Sequence, residues 1–270
     1  MLFSYRFLPY FCFALLLSMP LFICAQNVEV KKEKSREVVK IKDESRALLL
    51  CFNYTAQFPL GILERRFGFN NNVGFGVGYK LPRNFTVGLE GNFLFGEKVK
   101  ENNILLTIAT STAQHISSDG TVSGISLAQR GFQVRAQIGK IVPLSPKHPN
   151  AGFYFQTGMG FLQHQIFINV REDKYPQLDK TYRKGYDRLT NGFCLSQMIG
   201  GIYLKQKHWL SLYGGFVVDV AFTKSRRNWD FDRAVPDNQH RVDVLIGAKI
   251  CWMLPVFFKS NVEQEKEFFY

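Results

Sequence analysis

Three side chains of this 270-residue chain invite a nucleophilic mechanism. His164, Ser196 and Asp219 lie on three successive stretches of alternating polar and apolar residues. A histidine between a hydroxyl and an orienting carboxylate is the logic of serine hydrolases: the imidazole takes the hydroxyl proton while the carboxylate holds the ring. If the stretches align at similar heights, the three groups face one interior. A membrane-embedded lipid hydrolase or acyltransferase then follows. Two points weigh against it. The register around Ser196, Gln197 and Met198 is ambiguous, and no pair of oxyanion donors can be named. Polar packing inside a folded sheet explains the same residues more simply, so no catalytic residue is assigned.

Other chemistry finds little support. The run Gly74-Phe75-Gly76-Val77-Gly78 continues into Tyr79, so it is no dinucleotide fingerprint, and no Walker loop, HExxH, G-x-S-x-G or EF-hand loop occurs. His115, His148, His208 and His240 fall in separate connectors without ligand spacing. Cys51, Cys194 and Cys251 are widely spaced, with no CxxC pair, and read as small buried hydrophobes. The sequons at Asn53-Tyr54-Thr55 and Asn84-Phe85-Thr86 lie in or beside strand-like runs and match by chance. Neither a metal nor a cofactor is expected.

Residues 1–25 read as a signal peptide: Arg6 gives the positive start, Phe7 to Ile23 is apolar, and Ala25 precedes a polar stretch. Acylation at Cys24 is the competing reading, disfavoured by the bulky Ile23 before it. Residues 26–45 form a charged periplasmic tail. With 46% hydrophobic and 21% charged residues, neither a disordered chain nor a multi-span helical membrane protein fits. The formal charge of +12 is dispersed, as in Lys31, Lys32, Lys34 and Arg36 among Glu29, Glu33 and Glu37. A nucleic-acid partner would want that charge gathered on one face. Anionic lipid head groups suit the dispersed surplus better.

From residue 46 onward the alternation has period two, the signature of strands. Val73, Phe75, Val77 and Tyr79 oppose Gly74, Gly76, Gly78 and Lys80; Phe85, Val87, Leu89, Phe93 and Phe95 oppose Thr86, Gly88, Glu90 and Asn92. Eight segments emerge, near 47–58, 72–81, 85–96, 130–142, 152–169, 192–205, 209–223 and 241–258. Their connectors alternate strictly between short (82–84, 143–151, 206–208) and long (59–71, 97–129, 171–191, 224–240). In an antiparallel ring, every short turn then falls on one side and every long loop on the other. That predicts an all-β protein: an eight-stranded antiparallel transmembrane β-barrel over 46–258, with short periplasmic turns, long outer loops and a periplasmic tail at 259–270. Closure is required because hydrocarbon offers nothing to bond an open sheet edge. A soluble barrel alternates too. Here, however, the apolar faces are broad and aromatic and the polar faces are narrow and glycine-rich, which puts lipid outside.

The lumen of an eight-stranded barrel is only wide enough for side chains. The pattern points Lys80, Arg135, Arg241 and Lys249 inward together with Glu90, Asp219, Asp243 and the titratable His164. Near-balanced charge in so narrow a space predicts a hydrogen-bonded plug rather than a watery pore. Among the loops, 102–113 is too apolar for an ordinary solvated segment, and folds over the mouth, extends the strands or binds a protein. Ile104, Leu105, Leu106, Tyr186, Asp187, Arg188, Arg226 and Arg227 are the partner-binding candidates. Residues 182–191 read as a structured turn that Arg226, Arg227, Asp230, Asp232 and Arg233 pair with, or those arginines meet lipid A phosphates.

In Val73–Tyr79, Phe85–Phe95, Phe153–Phe161 and Val242–Leu254 the chain resembles the small outer-membrane β-barrels of Gram-negative bacteria, the OmpA/OmpW-like and PorT/PorG-like group. The resemblance implies an integral outer-membrane location beside outer-membrane lipid and lipopolysaccharide. It also implies a non-enzymatic structural or adaptor role with other envelope proteins, including those of a secretion apparatus. A narrow channel for small apolar solutes is a further alternative. No site residue transfers, and the charged tail after the last strand departs from the group's habit of ending on an aromatic strand.

Overall fold

The computed structural model describes residues 46–258 apart from 113, 123, 147, 171–174, 176–177 and 205–210. The expected signal peptide, the 26–45 tail and the 259–270 tail lie outside the described residues. Eight strands form: β1 (Arg46–Gly61), β2 (Asn70–Lys80), β3 (Phe85–Gly96), β4 (Ser126–Ser145), β5 (His148–Asn169), β6 (Thr190–Tyr203), β7 (Ser211–Ser225) and β8 (His240–Phe258). Each pairs antiparallel with its neighbours in sequence, and β8 returns to β1 through a ladder running from Arg46↔Phe258 to Gly61↔Asp243. The ring is closed, and no strand edge is left over.

Side chains alternate in and out as the period requires. Along β1, Cys51, Asn53, Thr55 and Gln57 are buried while Phe52, Tyr54 and Phe58 are exposed. Around the ring the outward positions form an apolar belt that includes Phe75, Leu89, Phe93, Val134, Ile138, Phe153, Met159, Phe193 and Phe216. Phe216 is 77% exposed and Leu89 64%. Such a surface is stable only against hydrocarbon, so the barrel is turned inside out relative to a soluble one. The strands run from 11 to 22 residues, at or above the roughly 9–11 that cross a bilayer, and the longer ones project beyond it.

The expected alternation of short and long connectors is present, with two adjustments. The connector expected over 143–151 shrinks to a turn at Pro146, because β4 and β5 extend toward each other. Pro143 and Pro149 therefore lie within strands, and the ladder shifts register between Pro143 and Ser145. A proline there costs little because the strand end demands few donors. The 82–84 turn reverses the chain through two left-handed residues, Arg83 (φ 62°) and Asn84 (φ 63°), and Asn84 donates from Nδ2 to Pro149 O at 3.1 Å. On the opposite side, the first long loop carries one short helix, α1 (Ile62–Arg66), and the second a 3-10 helix, Asn102–Ile108.

Inside, the lumen is not polar throughout, as the sequence pattern suggested. Ala47, Leu49, Cys51, Ile141, Tyr154, Met198, Ile202, Val217, Cys251 and Met253 form an apolar layer toward the short turns. A second apolar layer toward the long loops gathers Leu63, Phe67, Leu94, Ile104, Leu105, Leu162, Ile166, Tyr186 and Leu245. The ionic groups are held between them. The taper needs small residues at close approaches. A Cβ on Gly139 would stand 2.5 Å from both Thr86 Oγ1 and Tyr154 Oη, so glycine there leaves room for the Tyr154 ring.

Candidate functional site

The middle layer of the lumen is one bonded network. Glu90 on β3 accepts from Arg135 Nη2 on β4 (2.6 Å), from Lys249 Nζ on β8 (2.8 and 2.7 Å) and from Asn92 Nδ2 (2.8 Å). Arg135 Nη1 also donates to Asp219 Oδ1 on β7 (3.1 Å) and to Ser196 Oγ on β6 (2.8 Å), and Gln57 Nε2 on β1 donates to Asp219 Oδ2 (3.0 Å). Two cations thus neutralise two carboxylates. All four side chains are at most 5% exposed. Six of the eight strands supply a member, so the network ties opposite walls together.

A second cluster lies four to six residues nearer the long loops, roughly 13–20 Å along the strands. Asp243 accepts from Thr223 Oγ1 (2.6 Å) and pairs with His164 Nε2 (2.9 Å), and Phe67 abuts the imidazole edge-on at 5.6 Å. Lys80 is buried at the short-turn end, opposite Ala47 and Thr86. Arg241 pairs with Asp237 at the outer rim (2.7 and 2.8 Å). Every charge expected in the lumen therefore faces inward, but they divide among levels instead of meeting.

The catalytic constellation does not assemble. Ser196 and Asp219 are directly opposed, yet Arg135 bridges them. Ser196 pairs with Gly158 on β5, and His164 stands six residues farther along that strand, roughly 20 Å away. The imidazole serves Asp243 instead. The stagger between strands separates groups that share a face.

The long loops build a crown with its own ionic centre. Arg188 is buried and reaches Asp230 (2.6 Å from Nη1), both oxygens of Asp232 (2.7 and 2.6 Å from Nη2) and Glu101 (3.2 Å from Nε). Glu101 also accepts from Arg66 Nε at 2.9 Å, so the first, second, third and fourth loops meet at one point. Arg227 makes a two-pronged pair with Asp187, and Arg226 Nε donates to Asn191 Oδ1. The pairing expected between 182–191 and the last loop is therefore present. Burial works to raise the Glu101 carboxyl, but Arg66 and Arg188 outweigh it and hold the group below its ordinary range. The same balance, won by Arg241, lowers Asp237. Burial raises Asp230 despite Arg188.

Four of the expected partner-binding residues are buried within this crown: Ile104, Leu105, Tyr186 and Arg188. The 102–108 segment folds over the mouth, turning Ile104 and Leu105 into the apolar layer and leaving Leu106 47% exposed. Asp187 and Arg227 are half-buried and bound to each other, and Arg226 is exposed. Phe231 packs on Tyr186 and Tyr182, at 5.6 and 6.3 Å between centroids. A Cβ on Gly185 would stand 2.2 Å from the Phe231 ring, which explains a glycine at that point. Arg66, Glu101 and Phe67 went unrecognised in the sequence. They lie outside any alternating run: the α1 turn places Arg66 and Phe67, and Glu101 stands at the start of the second loop's 3-10 helix.

A closed eight-stranded ring with an apolar exterior is the architecture of an outer-membrane barrel. The chain has that fold. Solved structures similar to it are Neisserial surface protein A (9% identity, covering 76% of this chain and 96% of that one, TM-score 0.39), the attachment invasion locus protein Ail of Yersinia pestis in complex with the heparin analogue sucrose octasulfate (10%, 77% and 99%, 0.31), and outer membrane protein OprG from Pseudomonas aeruginosa (13%, 78% and 96%, 0.33). No protein-family model and no curated protein matches the chain. Likenesses this distant transfer no function, and the fold stands on the chain's own strand ladder and exterior.

Proposed function

We propose that this integral outer-membrane barrel is a non-enzymatic scaffold that presents its crown to other envelope proteins, those of a secretion apparatus included. The observation that carries the reading is where order is invested. Side chains of six strands lock the lumen at its centre, and four loops converge on Arg188 above it. A channel would keep its axis open, and an enzyme would keep a nucleophile beside its base. A scaffold needs a rigid outer face. This one shows Leu106, Tyr182 and Phe231 to the exterior over that bonded base.

The test is residue-specific crosslinking in living cells from Leu106, Tyr182 and Phe231. Discrete protein adducts that vanish in Y182A/F231A, with the barrel still folded, are expected. Crosslinks to lipid alone would overturn the reading. Steady conductance of the purified protein in planar bilayers would replace it with the channel for small apolar solutes.

A further inference from the structure

Arg66, Arg188, Arg227 and Arg241 each meet a carboxylate in the outer loops or at the rim. Lys224 and Arg226 do not. Among the described residues the Lys224 side chain makes no hydrogen bond or ion pair, and the Arg226 side chain makes only its Nε bond to Asn191, which leaves both Nη groups unengaged. These two residues border a cleft of about 380 Å³ lined by Lys224–Asn228 and, on the returning limb of the last loop, Pro236, Asp237 and Asn238. The cleft's one carboxylate, Asp237, is taken by Arg241, and Arg227 is taken by Asp187. Its unspent charge is therefore positive.

The cleft's position narrows the ligand. Thr223 and Ser225 point into the barrel and are buried, so Lys224 shares the outward face of β7 with Phe222. Phe222 is exposed and is opposed across the ladder by the equally exposed Phe193. A free cation pair thus stands directly above an aromatic strip of the lipid-facing belt, roughly 7 Å from it along the strand. Phosphate suits the pair, because a guanidinium offers a planar fork of donors and an ammonium adds a point charge. Apolar chains attached to that phosphate would lie on Phe222 and Phe193.

We propose that this cleft binds the phosphate of an acylated lipid in the outer leaflet, with Lys224 and the Arg226 fork on the phosphate and the chains on the aromatic strip. The proposal rests on the membrane-spanning reading of the barrel. Native mass spectrometry of the full chain released from detergent tests it, with short-chain phosphatidic acid, phosphatidylcholine of the same chains and inorganic phosphate as probes. Phosphatidic acid should bind in preference to phosphatidylcholine, and K224A/R226A should weaken it by about tenfold. R130A, which removes an outward arginine of β4, should bind as the unaltered protein does. Equal phosphatidic acid binding by K224A/R226A and the unaltered protein, both showing the compact gel mobility of a folded barrel, overturns the proposal. Inorganic phosphate binding as tightly as phosphatidic acid overturns it in favour of a free-anion site. Failure of the membrane reading would look different: the mature chain would stay folded and dispersed without detergent.

Discussion

The lumen and the crown solve the same electrostatic problem with opposite signs. In the lumen one carboxylate, Glu90, is held between two cations, Arg135 and Lys249; in the crown one guanidinium, Arg188, is held among three carboxylates, Glu101, Asp230 and Asp232. The lumen's members stand on strands, fixed by a ladder that extends around the whole ring. The crown's members stand on loops, joined by their ion pairs, a few backbone bonds and the packing of residues such as Phe231 on Tyr186 rather than by a continuous ladder. Removing a charge should therefore cost global stability in one place and local order in the other.

The largest effect is expected at Glu90. Glu90→Ala removes the carboxylate from buried Lys249 and leaves Arg135 with Asp219 alone, and breaking a buried pair of this kind costs about 3–5 kcal/mol. Unfolding of the purified barrel by urea or heat, followed by gel mobility, should shift accordingly. A shift no larger than that of a surface variant would erase the distinction. Arg188→Ala should cost less, about 1.5–3 kcal/mol for lost charge-assisted bonds, and the loss should be confined to the loops. Added protease would then cut the loops of the intact barrel while the ring keeps its mobility; concerted loss of both would mean that crown and lumen form one cooperative unit.

Acid should separate the regions in the same direction. Glu101 and Asp237 lie below their ordinary values, so their contribution is complete above the unfolded carboxylate range and disappears as pH falls through the depressed values, below about pH 4. Asp230 is raised by burial, so its protonation on acidification favours the folded crown and opposes, without cancelling, the loss from Glu101 and Asp237. Loop proteolysis should accordingly rise on acidification before the barrel itself opens; a pH-independent cleavage pattern would deny the crown its ionic origin. The smallest effect belongs to Ser196→Ala, which removes one acceptor from Arg135 and should cost about 0.5–1.5 kcal/mol. It should leave crosslinking from the crown unchanged. Loss of a biochemical activity with folding intact would reinstate the hydroxyl as a reactive group.

Much of this architecture was legible because a strand writes its facing directly into the sequence. Glu90, Arg135, Asp219 and Lys249 read as inward and are inward, since period two leaves only two choices. Height along the axis is not encoded that way. His164 and Ser196 share a face but not a level, because neighbouring strands are staggered and the offset depends on the closed ring. The loops obey neither rule. The apolar run at 102–108 announced that it was no ordinary solvated segment, yet which of Ile104, Leu105 and Leu106 faces out depends on the 3-10 turn and on α1 beneath it. Prolines misled for a related reason: Pro143 and Pro149 look like breaks but need only the relaxed ends of two long strands.

One further consequence follows from Lys249 sitting on the final strand. Until β8 docks against β1, Glu90 and Asp219 share the single cation Arg135 within the middle layer, and that layer carries one uncompensated negative charge. The strand that closes the ring brings the neutralising ammonium. Completion of the circle and neutralisation of its middle layer are one event, so a ring without β8 lacks both its last ladder and its second cation.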